Sequence, residues 1–330
     1  MAARKAIDSY IYETPLILSV SLSKRTGHHK ILLKCENLQR TGSYHYRGFI
    51  HSVVRAKARD LSVTNFITYS VANGGRALAC AAEDFQSAAR VVAPGPTHPL
   101  VASGIRYHGG VLYPCGPTPH ARDARLAELA QTFQANPRGR AVVVDPYHDP
   151  DLLAGFGTVG IELMLQTDCE VDCVVAPLGG GALINSLAVA LRGMKPNVAV
   201  FGAISDFVNE SDMSLRYVEM KTEGKEAEKP EAAPSSSNPS ILERKVTKWN
   251  AKHMKKLVNG VLQVTEEDVR YAFRYVYERC KLVIDLKAAT AVAAVLANPK
   301  ELRRYQCVAV VLSGGNVDLK CIPDLMSSAL

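Results

Sequence analysis

Along this chain, short apolar runs alternate with stretches in which apolar residues recur every three or four positions. The runs "KILLKCE" (30–36), "NFITYS" (65–70), "ARVVAP" (89–94), "GVLYPC" (110–115), "RAVVVDPY" (140–147), "DCVVAPL" (172–178), "VAVFGAI" (198–204) and "QCVAVVLSGG" (306–315) read as strands. Several are apolar on both faces, which suits a parallel sheet covered by helices on each side. Helical patterns lie between them. Residues 47–60 put Phe49, Val53 and Val54 on one stripe, 74–85 are alanine-rich, and 121–134 carry Leu126, Leu129 and Phe133 as an apolar face. At 265–280, Thr265 followed by Glu266 and Glu267 places a capping hydroxyl and early acids at the positive end of a helix. The alternation predicts an α/β fold: two open, twisted, mostly parallel sheets flanked by helices and joined by right-handed crossovers. Residues 220–240, rich in Lys, Glu, Ala, Pro and Ser, hold almost nothing to bury and read as a flexible surface insertion.

A chain of 330 residues suits two α/β lobes. With 47% hydrophobic and 22% charged residues it has the composition of a soluble globular protein. The net charge of +7 is scattered, and its densest clusters (Lys24-Arg25, Lys252 to Lys256, Arg303-Arg304) lack interleaved aromatics, which argues for a solvated basic surface rather than a nucleic-acid site. No run reaches the apolar length of a membrane span and the N-terminus lacks an apolar signal core, so a cytoplasmic protein with no membrane partner is expected. Of eight cysteines, Cys35, Cys80, Cys173 and Cys307 lie in apolar runs as reduced core residues. Cys169 and Cys173 have no second pair, which argues against zinc there.

Three glycine-rich turns follow predicted strands: "SVANGGRA" (70–77), "PLGGGALI" (177–184) and "LSGGNVD" (312–318). A strand running into glycines and then a helix lets backbone N–H groups converge on an anion with help from the helix dipole. Gly179-Gly180-Gly181-Ala182 is the best such candidate, although taken alone it reads equally as a tight left-handed turn. Three such loops at strand ends point to one shared crevice. Neither the dinucleotide fingerprint nor the Walker loop is matched.

Six ordered motifs, "YETPL" (12–16), "KCENLQRTGSYHYRG" (34–48), "SVANGGRA", "LLAGFGTVGIEL" (152–163), "PLGGGALI" and "VLSGGNVD" (311–318), together resemble fold-type II pyridoxal-phosphate enzymes of the serine racemase and threonine dehydratase group along nearly the whole chain. The resemblance implies a pyridoxal phosphate site between a larger lobe (1–64 and 143–330) and a smaller one (65–142). In it, Gly179, Gly180, Gly181, Ala182 and Leu183 would hold the phosphate, and Asn73 would bond the ring hydroxyl. Ser313 would face the ring nitrogen, Tyr44 would lie against the ring, and Ser70 would lie in the loop that grips the substrate carboxylate. A homodimer, or a heteromer with an active relative, is implied as well.

The chain also departs from that pattern. His45 occupies the position of the lysine that links covalently to the cofactor, and an imidazole has no primary amine to offer an aldehyde. It could still donate a hydrogen bond or carry a proton, or simply fill space. Val71 replaces a hydroxyl, and Ala72 and Gly74 flank Asn73 without side-chain donors. "IDLKAAT" (284–290) places Lys287 where the family has a hydroxyl, and Ile204 stands at a metal-binding acid, so no metal is expected there. Three readings follow: an impaired or inactive relative that keeps the cradle for pyridoxal phosphate or another phosphate ligand; an active serine or threonine ammonia-lyase or racemase that recruits Lys287 as its amine; or a non-enzymatic regulatory subunit.

Overall fold

The computed structural model describes residues 1–70, 72–134, 139–208 and 247–327, so Val71 and the predicted insertion at 220–240 lie outside the described residues. The strands are β1 (Leu16–Leu18), β2 (Lys30–Lys34), β3 (Val63–Tyr69), β4 (Ala88–Pro94), β5 (Val111–Cys115), β6 (Arg140–Val143), β7 (Cys173–Pro177), β8 (Ala199–Ile204), β9 (Gly260–Gln263) and β10 (Cys307–Val311). The described helices are α1 (Ala2–Ile7), α2 (Val20–Thr26), α3 (His45–Arg59), α4 (Asn73–Glu83), α5 (Pro99–Tyr107), α6 (Pro119–Gln134), α7 (Pro150–Gln166), α8 (Ala182–Met194), α9 (Lys248–Leu257), α10 (Glu266–Tyr275), α11 (Leu286–Ala297), α12 (Pro299–Leu302) and α13 (Ile322–Met326).

The strands form two sheets, ordered β1-β2-β10-β7-β8-β9 and β5-β4-β3-β6. Every pairing is parallel except β1 with β2. This is the predicted α/β architecture. Strand alternation splits the larger sheet's core in two: Val308 and Val310 of β10 pack on one face, Ala309 and Val311 on the other. All eight predicted strands are present. The one at 140–147 stops at Val143, because Asp145 turns the chain by accepting from the N–H groups of Tyr147 and His148. α3 starts at His45 rather than Arg47, which puts His45 in its first turn. α10 carries the expected Thr265 cap, completed as a capping box by Asp268.

A buried ion network ties the larger sheet to its helices. Arg47 of α3 donates to Glu36, just beyond β2, through Nε (2.8 Å) and Nη2 (2.8 Å), and to Glu162 of α7 through Nη1 (3.0 Å) and Nη2 (2.8 Å). Lys34 Nζ adds a bond to Glu162 (2.6 Å), and the Thr14 hydroxyl donates to Glu36 (2.7 Å). All five side chains are buried. Burial by itself would raise the Glu162 carboxyl; the hydrogen bonds and charge of Arg47, with Lys34, outweigh it and hold the group down to about 2. Beside this network α3 and α7 meet at bare glycines. A Cβ on Gly155 would lie 2.4 Å from the Arg47 carbonyl oxygen, and one on Gly48 would lie 2.3 Å from the Phe156 ring.

Removing one member leaves its partners charged, buried and unpaired, which costs about 3–5 kcal/mol. Arg47→Met is therefore expected to lower the urea unfolding free energy by that order, and adding Glu36→Gln to it, which leaves the Lys34–Glu162 pair intact, is expected to recover part of the loss. Equal midpoints for Arg47→Met and the parent chain would contradict the assignment.

Candidate active site

The site lies where strands of both sheets end. β3 runs into the turn before α4, β7 into the glycine loop before α8, and β10 into Ser313-Gly314-Gly315. Tyr44, His45, Asn73, Gly179, Gly180, Leu183, Lys287 and Ser313 all line one cavity of about 90 Å³, joined by Tyr147 and Asp285. Of the site residues expected from the sequence, Gly181, Ala182 and Ser70 do not line it. Gly181 caps α8 from the left-handed region (φ 95°), Ala182 is buried, and the Ser70 hydroxyl accepts from the backbone of Ala72 (3.3 Å). Ile204 is buried and has no ligand atom to offer, whereas its neighbours Ala203 and Ser205 reach the cavity.

The glycine loop has the geometry of an anion cradle. Among the described residues, none of the backbone N–H groups from Gly179 to Leu183 donates a hydrogen bond, and they open the thirteen-residue helix α8. Two of its glycines are fixed by geometry. Gly181 has a backbone that side chains rarely adopt, and a Cβ on Gly180 would lie 2.2 Å from the Tyr147 ring. The Gly180 carbonyl is turned outward by Asn250 Nδ2 (3.0 Å), which also donates to the Tyr147 carbonyl (3.3 Å), and Asn250 accepts from Asn185 (2.9 Å). The sequence carried no signal for Asn250 or Tyr147, because both act on the loop from distant segments.

The opposite wall carries the side-chain chemistry. Asp285 caps α11 by accepting from Ala288 N, and Lys287 follows in that helix's first turn. Gly314 must be bare here, since a Cβ would lie 2.4 Å from Asp285 Oδ2. A directed chain of amides reaches the same carboxylate: Arg76 Nη1 donates to Asn316 (2.5 Å), Asn316 Nδ2 to Asn73 Oδ1 (2.8 Å), and Asn73 Nδ2 to Asp285 Oδ2 (3.4 Å). Asn73 is thereby oriented with its N–H groups toward the cavity wall. Asp285, Arg76 and Asn316 were missed at the sequence level. Asp285 stood in view two residues before Lys287, as an acid at a helix start.

His45 stacks on Tyr44 (4.1 Å between ring centres) and meets the edge of Phe156 (6.0 Å). Its Nδ1 is covered and has no hydrogen-bond partner among the described residues. Burial, and then the charge of Lys287, push the imidazole from 6.5 down to about 3, so it is neutral at physiological pH. Burial also raises the Tyr44 hydroxyl, with the Asp285 charge adding to it. Because the folded-state value of His45 lies below the unfolded one, its contribution to stability is complete above pH 6.5 and is lost as pH falls toward about 3. The variant His45→Gln is expected to lose less stability than the parent between pH 6.5 and 4, the interval in which only the unfolded imidazole protonates. Parallel stability–pH curves for the two proteins would show that His45 titrates normally.

These features can bind an anion at one end of the cavity and present a carboxylate, an ammonium and a neutral imidazole at the other. Among the described residues no helix is long and apolar enough to cross a membrane. Residues 7–314 match the profile of a family described as "Pyridoxal-phosphate dependent enzyme". The chain is similar to a serine racemase of Dictyostelium discoideum, 29% identical over 98% of this chain and 96% of the other, and to an L-threonine ammonia-lyase of Thermotoga maritima, 31% identical over 99% and 77%. The crystal structure of the Dictyostelium discoideum serine racemase superposes with a TM-score of 0.79 at 27% identity, covering 96% of this chain and 97% of that one. The chain belongs to the pyridoxal-phosphate dependent enzyme family.

Proposed function

We propose that this protein is a serine racemase- and threonine dehydratase-like member of its family that keeps the cofactor's cradle and lacks its usual covalent anchor. The observation that carries the reading is His45, a neutral imidazole on the wall of the cavity, at the position where the resemblance places the anchoring lysine. The non-covalent part of a pyridoxal phosphate site fits: free N–H donors at the head of α8, Tyr44 to cover a ring, and Asn73 and Ser313 beside it. The covalent part does not fit at position 45.

When bound, the cofactor supplies an electron-withdrawing ring that stabilises negative charge at a substrate carbon. The chain's own residues would bind and orient it. Gly179 to Leu183 would hold the phosphate, and Asn73, fixed by Asn316, would set the ring's position. His45 would accept or donate a hydrogen bond without carrying charge. A single positioned proton carrier is typically worth about 10²–10⁴ in rate. Without an ammonium at position 45, racemisation or dehydration of serine and threonine would fall by at least that factor.

One observation favours a second reading. Lys287 lines the same cavity, close enough that its charge bears on His45. A primary amine there could take over the covalent link.

The test is titration with pyridoxal phosphate, borohydride reduction and peptide mapping by mass spectrometry. The first reading predicts cofactor that dialyses away, no pyridoxyl group on the chain, and a covalent adduct only in His45→Lys. A parent chain that is labelled, loses the label in Lys287→Ala, and releases pyruvate from serine would replace it with the second.

A further inference from the structure

We propose that Cys80, Glu83 and His108 form a binding site for one zinc-class divalent cation, on the sheet of β3 to β6 and apart from the cavity. One ligand atom from each residue lies within 4.8 Å of the other two, and this trio is the one such cluster among the described residues. Cys80 and Glu83 are three residues apart on the last turn of α4, which places them on one face. His108 is the residue that ends α5. The turn after it is fixed by backbone bonds from Gly109 and Gly110 to Arg106 and Ile105, and a Cβ on Gly110 would lie 2.9 Å from Ala79. The bare glycine lets the turn press on α4 and brings the imidazole to Glu83, where Nδ1 and Oε2 are 2.7 Å apart.

A sulfur, a nitrogen and a carboxylate oxygen are the donor set that zinc accepts, at metal–ligand distances of about 2.0–2.3 Å. Tetrahedral ligands at those lengths stand about 3.3–3.8 Å from one another, so only small side-chain movements are needed. Three protein ligands leave a fourth position for water. Entry is open, because Glu83 is exposed and Cys80 forms the buried floor. On binding, the Cys80 proton leaves to solvent, and the thiolate with the Glu83 carboxylate matches the two positive charges of the ion.

Burial holds the Cys80 thiol up at about 11, and a second feature opposes a cation: Arg40 Nη2 lies 3.4 Å from the sulfur. Its charge is already met by Asp84, which accepts from Nη1 and Nη2 at 2.9 Å each and also from the Tyr46 hydroxyl. Arg40 thus serves as a hydrogen-bond donor to the sulfur. The site also sits at the C-terminal end of α4, the negative end of the helix dipole. Binding there would clamp α4 to the end of α5. Asn73, on the cavity wall, is the first residue of the same helix.

The experiment uses the full chain, stripped by chelator and titrated with Co²⁺ and then Zn²⁺. Tetrahedral cobalt with a thiolate-to-cobalt charge-transfer band, bleached by one equivalent of Zn²⁺, is the expected result. Cys80→Ser should remove that band, and His108→Ala and Glu83→Gln should each weaken Zn²⁺ binding by at least about tenfold, with circular dichroism unchanged. A cobalt complex without a thiolate band, or variants that match the parent in affinity and spectrum, would overturn the proposal. If Cys80→Ser does not fold, the two other variants decide it.

Discussion

Four buried charges constrain this molecule more than any apolar contact does. Arg47, Lys34, Glu36 and Glu162 sit together out of reach of water, and each is tolerable only because the others are present. They come from β2, the turn after it, α3 and α7, with the Thr14 hydroxyl donating to Glu36 and its carbonyl accepting from Lys34. A one-residue slip of any of these elements would strand a charge in the core, so the network fixes register as well as proximity. Arg47 lies two residues beyond His45 in α3. The anchoring of the guanidinium therefore fixes the first turn of that helix, and with it the place of Tyr44 and His45 on the cavity wall.

The cradle opposite is held by different means. It consists of backbone, and side chains act on it only from outside: the Tyr147 ring rests on Gly180, and Asn250 turns the Gly180 carbonyl away from the cavity. Asn250 is positioned by Asn185, one turn into α8, so the helix that the loop opens also braces the residue that shapes the loop. A backbone loop of this kind depends on φ angles and close approach. It survives side-chain changes elsewhere in the cavity.

This difference explains which parts were legible in the sequence. The eight strands declared themselves as short apolar runs, several of them two-faced, and the glycine loops as punctuation after them. β1 and β9 span three and four residues, too few to show a period, and α7, α8 and α11 are apolar almost all round, so they lack the polar face that marks a surface helix. The cavity residues His45, Lys287, Asn73 and Ser313 could be named in advance because each lies in a motif. The Ser70 hydroxyl does not line the cavity, because it folds back onto its own turn. Asn316, Arg76 and Asn250 act through contacts across hundreds of positions or tens of them, and no local pattern records such a contact.

The separation of framework, cradle and chemistry bears on position 45. An ammonium there would stand in a wall that already holds Lys287, and the only described carboxylate lining the cavity is Asp285. Among the described residues, a neutral ring at position 45 leaves that wall with one cation, Lys287, and one anion, Asp285. It also packs against Tyr44 and Phe156, which a charged side chain would meet only after losing its water. Among the described residues no hydrogen bond joins the imidazole to the ion network below α3 or to the glycine loop across the cavity. On the reading proposed for this protein, the fold specifies where the residue at position 45 stands, and the chemistry available there is decided by that one side chain.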